Sequence, residues 1–176
     1  MARKFRERFK TVDDVFDQFT IRNLFTLASK DHFVDGTLSP LSIGKEANVF
    51  TAEGRNESRV AVKIYRLETC DFNKMYSYIA LDPRYTSLKK RQRDVVFAWC
   101  QREFRNLMAA REAGVRAPLP FAFLKNIMVM TQVGEGQPAQ KLKDDIPKNP
   151  RKFFLEVVDE IKKLYRHGFI HSDLSK

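Results

Sequence analysis

The chain has 176 residues, 43% of them hydrophobic and 15 of them Phe, enough for one domain core and too apolar for a wholly disordered chain. No run is long and apolar enough to cross a membrane, the basic start MARKFRERFK leads into no apolar signal segment, and two cysteines, Cys70 and Cys100, make no disulfide scaffold. Lys and Arg number 32 against 22 Asp and Glu, a formal net charge of +10 that suits an anionic partner as well as plain solubility.

The excess charge is local. Arg3, Lys4, Arg6, Arg8 and Lys10 crowd the start, and Lys89, Lys90, Arg91 and Arg93 form a second cluster. Neither is interleaved with aromatics as a base-stacking platform is, so a bound nucleic acid would be held by its phosphates. Between residues 13 and 30 the apolar positions Val15, Phe16, Phe19, Ile21, Leu24, Phe25 and Leu27 predict one or two short helices. Asp35-Gly36 and Ser39-Pro40 mark turns. Residues 49–52 form a β-prone run, 53–56 a turn, and 59–65 alternate as a strand, so that a glycine-containing loop feeds a β-hairpin. Residues 66–86 read as a mobile loop with room for an early short helix, and Thr86 or Ser87 is placed to cap the next one. That long helix is expected to run to about Ala113 and stop at Gly114. Two strands follow around Lys125-Asn126, then a linker at residues 134–138. The last helix begins at Pro150 with Phe153, Phe154, Val157, Val158, Ile161, Leu164 and Tyr165 on one face, and ends at His167-Gly168.

Three side chains carry the chemistry. On the strand at 59–65, Val60, Val62 and Ile64 point one way, and Ala61, Lys63 and Tyr65 the other. Lys63 in so apolar a run needs either solvent or an anion. Along the long helix Val96, Cys100, Leu107 and Ala110 form a stripe with Glu103 in its middle. A carboxylate there needs a cation, because an unpaired buried charge is costly, and Lys63 is the candidate. The alternative puts Lys63 on a solvated face and Glu103 at the rim. The turn from Ser42 through Gly44 and Lys45 to Phe50 can bring backbone N–H groups near phosphates, although it has neither P-loop nor G-x-G-x-x-G spacing, and an ordinary hairpin turn has the same composition. Finally, His171-Ser172-Asp173 follows a helix and a short apolar segment, where an Asp can orient or deprotonate a hydroxyl in phosphoryl transfer, although His-x-Asp after a helix is by itself usually an ordinary loop. The order of loop, strand lysine, helix glutamate, linker, helix and His-x-Asp is that of the first half of a protein-kinase fold.

The residues themselves resemble the RIO atypical protein kinases, the type-1 branch most closely. The similarity lies in Ser42-Ile43-Gly44-Lys45-Glu46-Ala47-Asn48-Val49-Phe50, in Ala61-Val62-Lys63-Ile64, in Tyr78-Ile79-Ala80-Leu81-Asp82-Pro83-Arg84-Tyr85, in the stretch from Trp99 to Leu107, and in His171-Ser172-Asp173-Leu174-Ser175. The resemblance implies an α+β fold: a kinase-like N-lobe of antiparallel sheet and long helix over 41–133, preceded by a helical extension over 1–40. A hinge and the first helix of a truncated C-lobe would follow over 134–176. It implies that Ser42, Gly44 and Lys45 cover a triphosphate and that Lys63 binds phosphates while paired with Glu103. Met130 would back the adenine, Thr131 and Val133 would hydrogen-bond it through the backbone, with Pro138 nearby, and Asp173 would be the catalytic Asp.

It also implies ATP and Mg²⁺ as cofactors, with the family's metal-binding Asn and Asp falling past Lys176, so that no metal ligand is assigned within the chain. The expected activity is that of a serine/threonine kinase or ATPase, cytoplasmic, with no membrane, acting on an unidentified protein substrate in maturation of the small ribosomal subunit. As written, the chain is expected to be an incomplete kinase with an exposed face on its last helix. A catalytically silent module binding nucleotide or pre-ribosomal RNA is the alternative. An unrelated basic α+β module would explain the charge but not the order of Lys63, Glu103 and Asp173.

Overall fold

The alternation at 59–65 becomes the middle strand of the sheet. A computed structural model describes residues 16–134, 136–172 and 174. The elements in chain order are α1 (Gln18–Ser29), β1 (Ser39–Ile43), β2 (Ala47–Glu53), β3 (Arg59–Tyr65), α2 (Phe72–Ile79), α3 (Gln92–Glu112), β4 (Pro120–Leu124), β5 (Ile127–Thr131) and α4 (Pro150–Arg166). The strands form one five-stranded sheet in the order β1-β2-β3-β5-β4, antiparallel throughout.

Both faces of that sheet are covered, which is why β3 is apolar on both sides. Val60, Val62 and Ile64 join Phe50, Ile127 and Val129 on one face and pack against Leu24 and Leu27 of α1. Tyr65 and Met128 on the other face pack against Val95, Val96 and Cys100 of α3. Each fully buried apolar side chain of this size contributes about 1.5–3 kcal/mol. Lys63 lies on the α3 side, opposite Met128 in the β3–β5 ladder. Lys125 adopts a positive φ of 57° in the two-residue β4–β5 turn, and Asn126 beside it is fully buried. The Asn126 amide donates to the Thr20 hydroxyl at 3.1 Å and to the Tyr65 carbonyl at 2.9 Å, tying α1 to the sheet.

Three expectations are corrected. Ser39-Pro40 does not turn but starts β1, where proline is tolerated because β1 is an edge strand and its ladder to β2 is irregular between Pro40 and Ser42. The segment at 66–86 is not a loose loop. It holds α2 and a short 3₁₀ turn at Pro83–Tyr85, and it buries Met75, Ile79, Asp82 and Tyr85. Neither Thr86 nor Ser87 caps α3. The cap position is Arg91, without a side-chain bond. The other ends fall where the sequence puts them: Gly114 follows α3 with φ 79°, and Pro150 sits in the first turn of α4, capped by Asn149 accepting the Lys152 N–H at 3.0 Å. None of the residues of α4 is buried.

Candidate active site

Strand β3 and helix α3 cross so that Lys63 meets Glu103. Its Nζ lies 2.7 Å from Oε1 and 2.8 Å from Oε2. The two side chains keep 24% and 28% of their surface exposed, so the pair is neither sealed in the core nor free in solvent. Lys63 also lies 5.0 Å from the centre of the Tyr65 ring. Cys100, one turn before Glu103, is fully buried in the core between the sheet and α3, and burial pushes its thiol up to about 12, so it stays uncharged.

The exposed side of the pair opens into a cleft of about 990 Å³. Gly44 and Lys45 of the β1–β2 turn form one rim. The Gly44 N–H donates to the Ala47 carbonyl at 3.0 Å, and a Cβ at Gly44 would come within 2.7 Å of that oxygen. A side chain there would press on the turn's own carbonyl, so glycine lets the turn close this tightly. Trp99, Arg102 and Asn106 of α3 complete the wall beside Glu103. The far wall is made by residues 115–118, Leu164 and residues 169–172. Arg116 fixes that wall: its N–H donates to Glu160 Oε2 at 3.1 Å and its Nε to Oε1 at 2.9 Å, which links the end of α3 to α4. Lys163 first, and then Arg116, hold the Glu160 carboxyl below its ordinary value.

Arg102 is itself oriented from behind. Asp82, with 8% of its side chain exposed, accepts from Arg102 Nε at 3.1 Å and from Arg84 at 2.6 and 2.9 Å. Arg84 in turn donates to Asn106 at 3.1 Å. The 3₁₀ turn is thereby clamped to the part of α3 that faces the cleft.

Of the residues singled out in the sequence, Gly44, Lys45, Lys63 and Glu103 come together here. Ser42 lies in β1, opposite Val49, and does not line the cleft. Met130 and Thr131 close β5, and Met130 packs into the α3-side core. Val133 is 57% exposed, and its carbonyl accepts from the Ala139 N–H at 2.7 Å. That closed loop turns back at Gly134, φ 117°, and keeps Val133 and Pro138 off the cleft wall. Asp173 lies outside the described residues, although His171 and Ser172 line the cleft. Trp99, Arg102, Asn106 and Arg116 were missed. Positions 99, 103, 106 and 110 recur at helical spacing and could have marked the first and third. Among the described residues no group of three His, Cys, Asp or Glu is placed to hold a metal ion.

With this geometry in hand, the sequence model of the RIO domain matches residues 48–176. The RIO-type serine/threonine-protein kinase Rio1 of Haloferax volcanii is 39% identical over 100% of this chain and 61% of its own length. The protein of the same name from Methanocaldococcus jannaschii is 42% identical over 99% of the chain and 60% of its own length. The chain thus spans about three-fifths of the length of these relatives. Among solved structures, the Rio2 kinase from Chaetomium thermophilum in an ADP/Mg²⁺-phosphoaspartate complex superposes with a TM-score of 0.64 at 22% identity, covering 86% of this chain and 42% of that one. At that identity the likeness is one of fold: an α+β, kinase-like N-lobe.

Proposed function

Because the chain belongs to the RIO-domain family, we propose that it carries the nucleotide-binding lobe of a RIO-type serine/threonine protein kinase, with ATP bound in the cleft above Lys63. The observation that carries this reading is the bidentate Lys63–Glu103 pair beneath the Gly44 turn. An ammonium has three N–H donors. Glu103 takes two and fixes the direction of the third, which faces the cleft together with the positive charge. A phosphate oxygen there meets a donor that needs no reorganisation. The tight Gly44 turn borders the cleft, and Lys45 on the rim adds a second cation. Volume and charge both suit a nucleoside triphosphate. When bound, ATP supplies the transferable phosphoryl group.

The remaining roles follow from the family resemblance. Ser42 helps to cover the phosphates, Met130 backs the adenine and Pro138 flanks it. Thr131 and Val133 meet its edge through the backbone. The Thr131 N–H donates to Leu119 at 2.9 Å and the Leu119 N–H returns to the Thr131 hydroxyl, also at 2.9 Å, so the side chain meets the donor that a ladder carbonyl would otherwise take. Asp173, next to the cleft-lining Ser172, accepts or orients the substrate hydroxyl proton. Mg²⁺ belongs to the same reading, but the described residues gather no ligand set for it, and no step is drawn through it. The finer reading is a cytoplasmic role in small ribosomal subunit maturation, on a protein substrate and beside pre-ribosomal RNA. The net charge of +10 supports an anionic partner. Retention on ribosomal RNA should fall steeply with salt.

Autophosphorylation of the complete protein with labelled ATP tests the assignment. Lys63→Ala is expected to lower it at least 100-fold with the fold intact. Undiminished labelling in that variant would remove Lys63 from the site. ADP binding without any phosphorylation by the wild type would favour the silent binding module instead.

A further inference from the structure

A second cavity, of about 470 Å³, opens on the other side of α3. Asp94, Phe97, Ala98 and Gln101 line it, spaced at one helical face, and that face lies across the helix from Trp99, Glu103 and Asn106. Leu88 precedes α3 in its wall, and Phe123 and Lys125 close it from the β4–β5 end. We propose that this cavity binds an acidic peptide segment by one bulky apolar side chain, and that occupancy is linked through α3 to the Lys63–Glu103 cleft. The linkage, though not the binding, rests on the nucleotide reading above.

Charge sets the sign of the ligand. Lys89 and Lys125 are exposed at the cavity, and the ion pairs among the described residues involve neither. Lys90 and Arg91 extend the basic surface along the approach to α3. Arg84 also lines the cavity, but its guanidinium is committed to Asp82. Asp94 is the one acidic group among the lining residues.

Two features favour a peptide over a nucleic-acid strand. Base stacking needs an open aromatic face. Phe97 stacks on Phe19 at 5.6 Å between centroids, with the Lys125 ammonium 5.5 Å from its centre. Phe123 packs on Phe104 at 4.8 Å, and Tyr85 is 8% exposed. Phe123 keeps 37% of its surface exposed, so the lining offers one partly open ring and no succession of them on which bases could stack. Second, Asp94 and the Gln101 side-chain carbonyl accept hydrogen bonds, which the amides along a peptide backbone can donate and phosphate groups cannot. The Tyr85 hydroxyl in the same wall is buried without a hydrogen-bond partner, so the wall is not a closed polar network.

The linkage is mechanical. Helix α3 is continuous over 21 residues. A side chain seated against Ala98 and Gln101 bears on the same rigid element that presents Glu103 to Lys63. Any preference of the peptide for one rotation of α3 is then a preference for one state of the cleft, and the coupling acts equally in both directions.

The test uses a fluorescein-labelled peptide, Glu-Glu-Phe-Leu-Glu-Glu, followed by anisotropy at low salt without nucleotide. Saturable binding is expected. It should weaken at least tenfold in the Lys89→Glu/Lys125→Glu double variant and be unchanged in Lys141→Glu/Lys148→Glu, which alters net charge equally at exposed positions outside the cavity. Equal losses in both doubles, or tighter binding of labelled oligouridylate than of the peptide, would overturn the proposal. Saturating peptide should also shift the affinity for a fluorescent ADP analogue about fivefold or more. No shift would refute the linkage. Failure to bind the analogue at all would count against the nucleotide reading, while the anisotropy result still decides the cavity.

Discussion

Asp82 is the most constrained charge of the described chain. Hydrogen bonds from Arg84, supported by Arg102, hold its carboxyl well below the usual carboxylate range against the opposing effect of burial. A group whose pKa falls on folding stabilises the fold above its unfolded value, near 4, and that contribution fades as the pH drops toward the folded value. Asp82→Asn should therefore cost about 2–3 kcal/mol in urea unfolding at pH 7, the loss of charge-assisted bonds at a buried acceptor. The gap to the wild type should narrow steadily below about pH 4. A gap of the same size at pH 3 and pH 7 would show that shape, and not charge, is what Asp82 supplies. The contrast with Glu103 explains what the sequence reveals. Glu103 stands out because it interrupts an apolar stripe, so its need for Lys63 can be inferred locally. Asp82 follows an apolar segment at a turn and interrupts no periodic stripe, and its second partner, Arg102, is twenty positions away on another element. Nothing local separates it from an ordinary turn Asp before a proline.

At the scale of elements, apolar patterning identifies the long pieces and the β4–β5 hairpin, and is weakest where an element is paired on one side only or buries little. Strand β3 and helices α3 and α4 follow from alternation and from the spacing of their apolar residues. Strand β1 escapes because an edge strand pairs on one side only and can carry Pro40. Helix α2 shows in the sequence only as room for a short helix, because its eight residues bury only Met75 and Ile79. The tie between α1 and the β4–β5 turn is a further long-range feature: Asn126 is read from sequence as a turn residue, yet it is buried and bridges Thr20 and Tyr65. Asn126→Ala strips those groups of a donor and should lower stability by about 2 kcal/mol. Hydrogen exchange in α1 should accelerate more than in α3. Uniform acceleration across both helices, or no loss of stability, would show that α1 is held by its apolar contacts alone.

At the scale of the whole molecule, the cleft is assembled from segments far apart in the chain: the β1–β2 turn, β3, α3, and the residues after α4. Its cationic centre is legible in the sequence, because Lys63 and Glu103 each break an apolar pattern, whereas the Gly44 turn alone reads as an ordinary hairpin. Its far wall is not, since Arg116 and Glu160 are ordinary surface residues until the fold brings them together. The positions that reach the site by resemblance alone, Met130, Thr131, Val133 and Pro138, carry no local signal of a base pocket, and the cleft wall does not include them.

The central claim is that the charge on Lys63, held by Glu103, binds a nucleotide's phosphates. The most direct measurement is calorimetric titration of ADP into the wild type and into Lys63→Met, which keeps an unbranched side chain one heavy atom shorter and removes its charge. The account predicts saturable binding to the wild type and a loss of about tenfold or more in the variant, the worth of one charge-assisted hydrogen bond. Equal affinity in the two proteins, with both folded, would contradict it.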